Sequence, residues 1–408
     1  WARPLRAPPP RHNVLHAPMV YHERYSCPDW PAKHTFPMSK FSMTAESLLD
    51  DPDKLLEGEN ETSEEQDDAS SSSPSRLVLS RTHFYRPLPV ETFPKSLMSP
   101  PICARFLETF LSGSLSYEES RLIGFREQTS RPELIERTIL EVAGTVLTAQ
   151  LAMKYGLASN LAGGTHHAES DRGKGFTIVN DLAVAARLMT WKEGIADYVG
   201  DDGAETIDDD DSLLREFYRG DDQGACVDRV LVVDCDVHQG DGTATFSKPP
   251  ESATGAVASG ANNLHGRLFT LDLHASNNYP HPKETCTYDV GLHDDCDDAT
   301  YLAALSRSLG AALREVRPQL VLYNAGADIY ESDKLGRISV SREGMERRDA
   351  HVLNTCLDNG IPVAAVVGGG YDNDARALGR RHAIVHRVCA RIWRERRMWT
   401  RRPASPKN

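Results

Sequence analysis

Four short, almost unbroken apolar runs punctuate the second half of this 408-residue chain: "RVLVVDCDV" (229–237), "RLFTLDL" (267–273), "QLVLYNAGA" (319–327) and "PVAAVVGGG" (362–370). A strand that faces water on one side alternates polar and apolar residues, whereas a strand covered on both faces does not. Segments of helical period lie between and around the runs. "PELIERTILEVAGTVLTAQLAMKYG" has a Ser-Arg-Pro start at Ser130 and a glycine stop at Gly156, and "DLAVAARLMTWKEG" opens on an expected cap at Asp181. "DATYLAALSRSLGAALREVRP" and "SREGMERRDAHVLNTCLDNG" precede the last two runs. Buried strands alternating with helices predict a doubly wound parallel α/β sheet flanked by helices, with ligands outside the carboxyl ends of the strands.

The polar residues of the runs gather at those ends. In "VVDCDVHQGDG", Asp234, Asp236 and His238 are two residues apart, so on an extended strand they share one face while Cys235 and Val237 turn to the core. Two carboxylates and an imidazole beside "VLVV" are costly unless a divalent cation compensates them, and their donor atoms suit zinc or ferrous iron. Asp328 closes the "LYNAGAD" run and completes a set of three ligands that leaves positions open for water and substrate. An aspartate after a strand is also a common turn or cap residue, so Asp328 alone carries little. His166 and His167 stand in tandem in the glycine-rich "AGGTHHAESDRGKGF", as two proton carriers would, and Asp234 and Asp241 are spare carboxylates that can orient them. Tyr371 follows three glycines at a strand end, where its hydroxyl can donate to a developing oxyanion.

Composition narrows the class. Eight cysteines without a Cys-x-x-Cys pair argue against a disulfide framework, and no apolar stretch is long enough for a membrane span, which points to a reduced intracellular enzyme. The net charge of -13 is concentrated in two acidic segments, 46–76 at -9 and 193–226 at -10, while 380–408 carries +9. Such acidic, low-hydrophobicity segments cannot bury enough apolar area to fold, and are expected to be disordered inserts. A small-residue segment at 248–266 is a third insert. The expected organisation is a disordered segment 1–14, a single catalytic domain 15–392 interrupted at about 46–80, 193–226 and 248–266, and a basic tail 393–408. The tail reads as a solvated helix end rather than a nucleic-acid contact. The compartment is nucleus or cytoplasm, with an organelle left open by the basic, acid-free "WARPLRAPPPRHN".

In order, "GGTHHA", "DCDVHQGDG", "NAGAD" and "GGGY" resemble the zinc-dependent histone deacetylases of the arginase/deacetylase fold. The flanking "SDRGKGFTIVNDLAVAARL", "NNYPHPKETCTYDVGL", "ADIYESDKLGRISVSREGMERRD" and "HTFPMSKF" are similar to the class IV enzymes and their bacterial relatives. The resemblance implies Asp236, His238 and Asp328 as zinc ligands. It implies His166 and His167 as the acid/base pair, backed by Asp234 and Asp241 respectively, and Tyr371 as the group that polarises the carbonyl. Phe176 and Gly369 would contact an acyl-lysine substrate, and a potassium ion would sit on backbone near Asp234 and Asp272. The reaction implied is hydrolysis of N-acetyl- or longer N-acyl-lysine in proteins, of the kind that regulates chromatin.

Two alternatives stay open at this point: the same machinery acting on a small amide such as an acetylpolyamine, and a non-catalytic chromatin scaffold. The chain also departs from the family pattern. A His-Asp-x-x-Tyr signature common upstream is not evident, and "PPICARF" (100–106) stands in its place. These departures bear on the substrate rim and on partners.

Overall fold

The apolar runs become the middle of one sheet. In the computed structural model, which describes residues 16–50, 83–191, 226–249 and 264–400, seven strands pair in parallel. They are β1 (Met19–Val20), β2 (Leu157–Asn160), β3 (Val230–Asp234), β4 (Leu268–Ala275), β5 (Tyr288–Leu292), β6 (Leu320–Asn324) and β7 (Val363–Val366), in the spatial order β1-β2-β7-β6-β3-β4-β5. The four expected runs are the four neighbours β7, β6, β3 and β4. The strands that the apolar pattern does not mark are β1, of two residues, β2, whose sequence is "LASN", and the edge strand β5, which alternates exposed and covered positions.

Alternation within each central strand feeds two cores. Val230, Val232, Leu320 and Leu322 pack with α4 (Pro132–Tyr155) and α5 (Asp181–Thr190), whereas Leu231, Val233, Val321 and Tyr323 face the opposite layer. That second layer is α7 (Asp298–Val316), α8 (Arg342–Asp358) and α9 (Ala375–Glu395). The remaining helices, α1 (Lys40–Asp50), α2 (Ala104–Leu111), α3 (Tyr117–Ile123) and α6 (Asp241–Ser247), lie in the connections. Helix α4 begins with Pro132 in its first turn and stops at Gly156, whose φ of 90° lies in the left-handed region that glycine enters without strain. Among the described residues no helix is long and apolar enough to cross a membrane.

Some expected boundaries shift. Residues 46–50, assigned to the first acidic insert, are the end of α1, where Leu48 is buried. Residue 392 falls inside α9, and Trp393 is buried, so the start of the basic tail is part of the packed body. Beyond it, Arg396 binds Asn354 at 2.6 Å and Asp358 at 2.8 Å. The rest of the tail, the segment 1–14 and the bulk of the three inserts lie outside the described residues.

Helix α4 carries a buried ion pair that braces the loop leading to the tandem histidines. Arg137 makes a two-pronged contact with Glu141 at 2.7 and 2.6 Å, and Glu141 also accepts the Gly163 N–H at 3.3 Å. Both side chains are nearly out of water. Removing one partner of a buried pair leaves the other charge uncompensated, so Arg137→Ala is expected to lower unfolding stability by about 3–5 kcal/mol. Urea denaturation measures it, and a loss below about 1 kcal/mol, the worth of a surface pair, would contradict the burial.

Candidate active site

All the singled-out motifs emerge at one end of four adjacent strands. The tandem histidines follow β2, Tyr371 follows β7, Asp328 follows β6, and the Asp-Asp-His group ends and follows β3. Side chains remote in sequence therefore converge because the sheet is parallel.

The convergence at β3 has a different cause from the one the spacing suggested. The strand ends at Asp234, and Asp236 and His238 lie on bends beyond it. Two successive side-chain turns steer them: Asp234 Oδ1 accepts the N–H of Asp236 at 3.1 Å, and Asp236 Oδ1 accepts the N–H of His238 at 3.0 Å. Cys235 and Val237 are fully buried in the core, as expected.

Asp236, His238 and Asp328 bring one donor atom each to within 4.8 Å of one another. His238 Nδ1 is 3.1 Å from Asp236 Oδ1 and 3.2 Å from Asp328 Oδ2. Asp328 Oδ1 accepts the Val237 N–H at 2.9 Å, and Asp236 Oδ2 accepts the Gly369 N–H at 2.6 Å. Burial and the charge of Asp236 push the Asp328 carboxyl up to about 7. Burial opposes a charge on His238, yet its bonds to both carboxylates raise it to about 9. Two buried carboxylates thus draw positive charge onto the atom between them, and the donor set of two oxygens and one nitrogen fits a divalent ion. Glycine at 369 is a requirement of space, because a Cβ there would stand 2.1 Å from Asp328 Oδ2. Gly369 lines the recess and holds Asp236 at the same time.

Each tandem histidine has its own carboxylate. His166 Nδ1 is 2.7 Å from Asp234 Oδ2, and His167 Nδ1 is 2.8 Å from Asp241 Oδ1. The rings lie 4.1 Å apart. The two differ electrically. Burial disfavours the cation at His166, but Asp234 and Asp236 outweigh it and raise the group to about 10. His167 is depressed to about 3, by burial first and then by the neighbouring His166. The pair therefore offers one protonated and one unprotonated imidazole at neutral pH.

Tyr371 and Phe176 complete the recess, with rings 6.2 Å apart, and Tyr371 stands 6.3 Å from the His238 ring. Burial and the carboxylates of Asp328 and Asp236 hold the Tyr371 hydroxyl well above its usual range, so it remains a donor. Phe176 stacks on Phe125 at 5.8 Å.

Several contributors escape the sequence reading. Tyr279, partly exposed, places its ring 4.9 Å from His167 and 6.4 Å from His238. Asp181 is the first residue of α5 rather than its cap, a role Asn180 takes by accepting from Ala183 N–H. The Asp181 carboxylate instead accepts the N–H groups of Gly164 (3.0 Å) and Thr165 (2.8 Å), fixing the loop that presents the histidines. Asp333 accepts the Tyr371 N–H at 2.7 Å. Lys40 is buried behind the recess, where burial lowers it to about 8, and its ammonium donates to Gly368 O at 2.8 Å. Asp272, paired with Asp234 across β3 and β4, has one carboxylate oxygen buried with no protein partner. Aspartates and lysines of this kind carry no periodicity, so although Lys40, Asp181, Asp333 and Tyr279 all stand in segments similar to the family, the sequence does not say what their side chains do.

Comparison with known proteins agrees with this geometry. The histone deacetylase domain family model matches residues 104–198 and 220–387. An uncharacterized protein of Picosynechococcus sp. is 33% identical over 378 residues, covering 92% of this chain and 99% of that protein. Histone deacetylase 2 of Arabidopsis thaliana is 28% identical over 234 residues, which is 57% of this chain and 48% of that protein, so the match spans about half of the plant relative. Among solved structures, an acetylpolyamine aminohydrolase from Burkholderia pseudomallei matches with a TM-score of 0.55 at 16% identity, over 91% of this chain and 98% of that one, a likeness of fold.

Proposed function

This chain belongs to the histone deacetylase domain family, and from that premise we propose that it hydrolyses N-acetyl- or longer N-acyl-lysine amides in proteins and peptides with zinc at Asp236, His238 and Asp328. The reading is carried by one observation: a divalent donor set, two histidine–carboxylate pairs and a tyrosine hydroxyl face a single recess. A non-catalytic scaffold has no physical need for that assembly.

A bound zinc would polarise the acyl carbonyl and make hydroxide accessible near neutral pH. The chain's own residues do the rest. His167, unprotonated, takes the proton of the attacking water at Nε2, while Asp241 holds Nδ1. Tyr371 donates to the oxygen that becomes negative. His166, held protonated by Asp234, supplies positive charge beside Asp236 and a proton for the leaving amine. Phe176, which lines the recess, and Tyr279, whose ring stands beside His167, would flank the lysine stem. The orphaned oxygen of Asp272 beside Asp234 fits a structural potassium ion.

The charges at the mouth favour lysine side chains over free polycations. Lys283 donates to the Tyr279 carbonyl and Lys334 stands beside Tyr371, while the ammonium of Lys174 and the guanidinium of Arg172 are already neutralised by Asp241 and Glu169. Asp333 turns inward onto backbone N–H groups. Acetyl-lysine peptide is therefore expected to be cleaved at least about tenfold faster than an acetylated polyamine, since like charge at a rim slows encounter. The test is a panel of acyl-lysine peptides of increasing chain length and an acetylpolyamine. Each is run with zinc and with ferrous iron, and with and without a hydroxamate chelator. A preference for the polyamine would reverse the substrate class, and activity indifferent to chelator would remove the metal.

A further inference from the structure

The two histidine–carboxylate pairs are anchored differently on their far sides. Asp234 gives its Oδ1 to neutral donors, the Asn324 amide at 2.9 Å and the Asp236 N–H at 3.1 Å. Asp241 meets an ammonium: Lys174 Nζ lies 2.6 Å from its Oδ2, while Oδ1 faces His167. Lys174 is itself held from both ends. Its carbonyl accepts the N–H of Thr177 at 3.0 Å and the Thr177 hydroxyl at 2.7 Å, and its ammonium also donates to Glu169. Glu169 in turn accepts two bonds from Arg172, at 2.8 and 2.6 Å. A row of alternating charge therefore runs Arg172, Glu169, Lys174, Asp241 and ends on the imidazole.

We propose that Lys174 is a positioning residue for His167: by occupying the second oxygen of Asp241 it fixes the carboxylate and leaves Oδ1 alone for the ring. The Nδ1 proton is then held in place, and Nε2 is turned to the recess as an acceptor. The inference rests on the reading of His167 as the base. Its physical ground is the geometry of a carboxylate, which has two oxygens and can swing about its stem unless both are engaged. The protonation states agree. Burial opposes charge on Asp241, but the His167 and Lys174 bonds outweigh it and keep the carboxyl low, and Lys174 is raised against burial by Asp241 and Glu169. The turn that carries Lys174 is closed by its main chain, Thr177 N–H to Lys174 O at 3.0 Å, and is tied to Ile123 O by the Phe176 N–H at 2.7 Å, bonds that do not involve the ammonium.

The experiment compares the parent with Lys174→Met, Lys174→Arg, Asp241→Asn and the Lys174→Met/Asp241→Asn double variant, all as full chains. On acetyl-lysine peptide, Lys174→Met is expected to lower kcat about tenfold or more with KM and metal content unchanged, and Lys174→Arg to restore most of it. In the Asp241→Asn background there is no carboxylate to hold, so Lys174→Met should change kcat by less than about twofold. A kcat for Lys174→Met within about twofold of the parent, or effects that multiply in the double variant, overturns the proposal. Nitrogen-15 NMR of the imidazoles gives a second readout that needs no turnover. The parent is expected to show a fixed Nδ1–H tautomer at His167 and Lys174→Met a mixture. Should no variant cleave any acyl-lysine peptide, the substrate reading fails while the tautomer still decides on Lys174, and a tautomer unchanged in Lys174→Met sinks it.

Discussion

Replacing Tyr371 by phenylalanine is expected to lower kcat on an acetyl-lysine peptide by a hundredfold or more, with KM, metal content and thermal stability close to those of the parent. The ring does the packing, against Phe176 and near His238, and phenylalanine keeps it. The main chain is held independently, with the Tyr371 N–H on Asp333 and its carbonyl accepting from Lys334 N–H. Only the hydroxyl is lost. That hydroxyl is buried beside two carboxylates, so it stays protonated and can act only as a neutral donor. A preorganised donor aimed at a developing oxyanion is worth roughly 10²–10³ in kcat, because the charge it meets exists in the transition state and not in the substrate. The loss should therefore appear in kcat and kcat/KM equally. Turnover within about threefold of the parent would remove Tyr371 from the reaction and leave oxyanion stabilisation to the metal alone.

The legibility of this fold followed from burial on both faces. Strands β3, β4, β6 and β7 were readable because their positions are almost all covered, which forces continuous apolar sequence. Strand β2 was not, although it is equally buried, because Ser159 and Asn160 find partners in His386 and in the Ala162 N–H, and satisfied polar groups can replace apolar ones. The donor residues at the strand ends were legible for a related reason: charge beside "VLVV" demands an explanation in the sequence itself. Their convergence was expected from strand alternation, whereas the molecule achieves it with side-chain turns after Asp234. Residues that act at one remove, Asp181, Asp333 and Lys174, were illegible because each works by a bond to backbone or carboxylate far away in sequence.

Asp328→Asn is expected to abolish metal binding and activity together, and yet to stabilise the metal-free protein. The amide keeps the volume and the acceptor that Val237 N–H uses at Oδ1, so the change is one of charge. Partners that merely orient a metal ligand are worth about 10–100-fold in affinity, and removing a ligand's charge should exceed that. Elemental analysis and competition with a zinc-binding dye measure it. In the metal-free protein the sign reverses. Burial and Asp236 place the folded Asp328 carboxyl near 7, above its ordinary 3.8, so the folded state holds a proton that the unfolded chain releases. Metal-free stability must therefore fall as pH rises through that interval and remain lowered above it. Asparagine carries no such penalty. In chelator, the variant should melt above the parent at pH 8, by a margin that shrinks toward pH 4. With zinc present the order inverts, because only the parent gains from binding. A variant that melts below the metal-free parent at pH 8 would show that these two carboxylates are not in conflict, and with that conflict would go the physical reason for a cation between them.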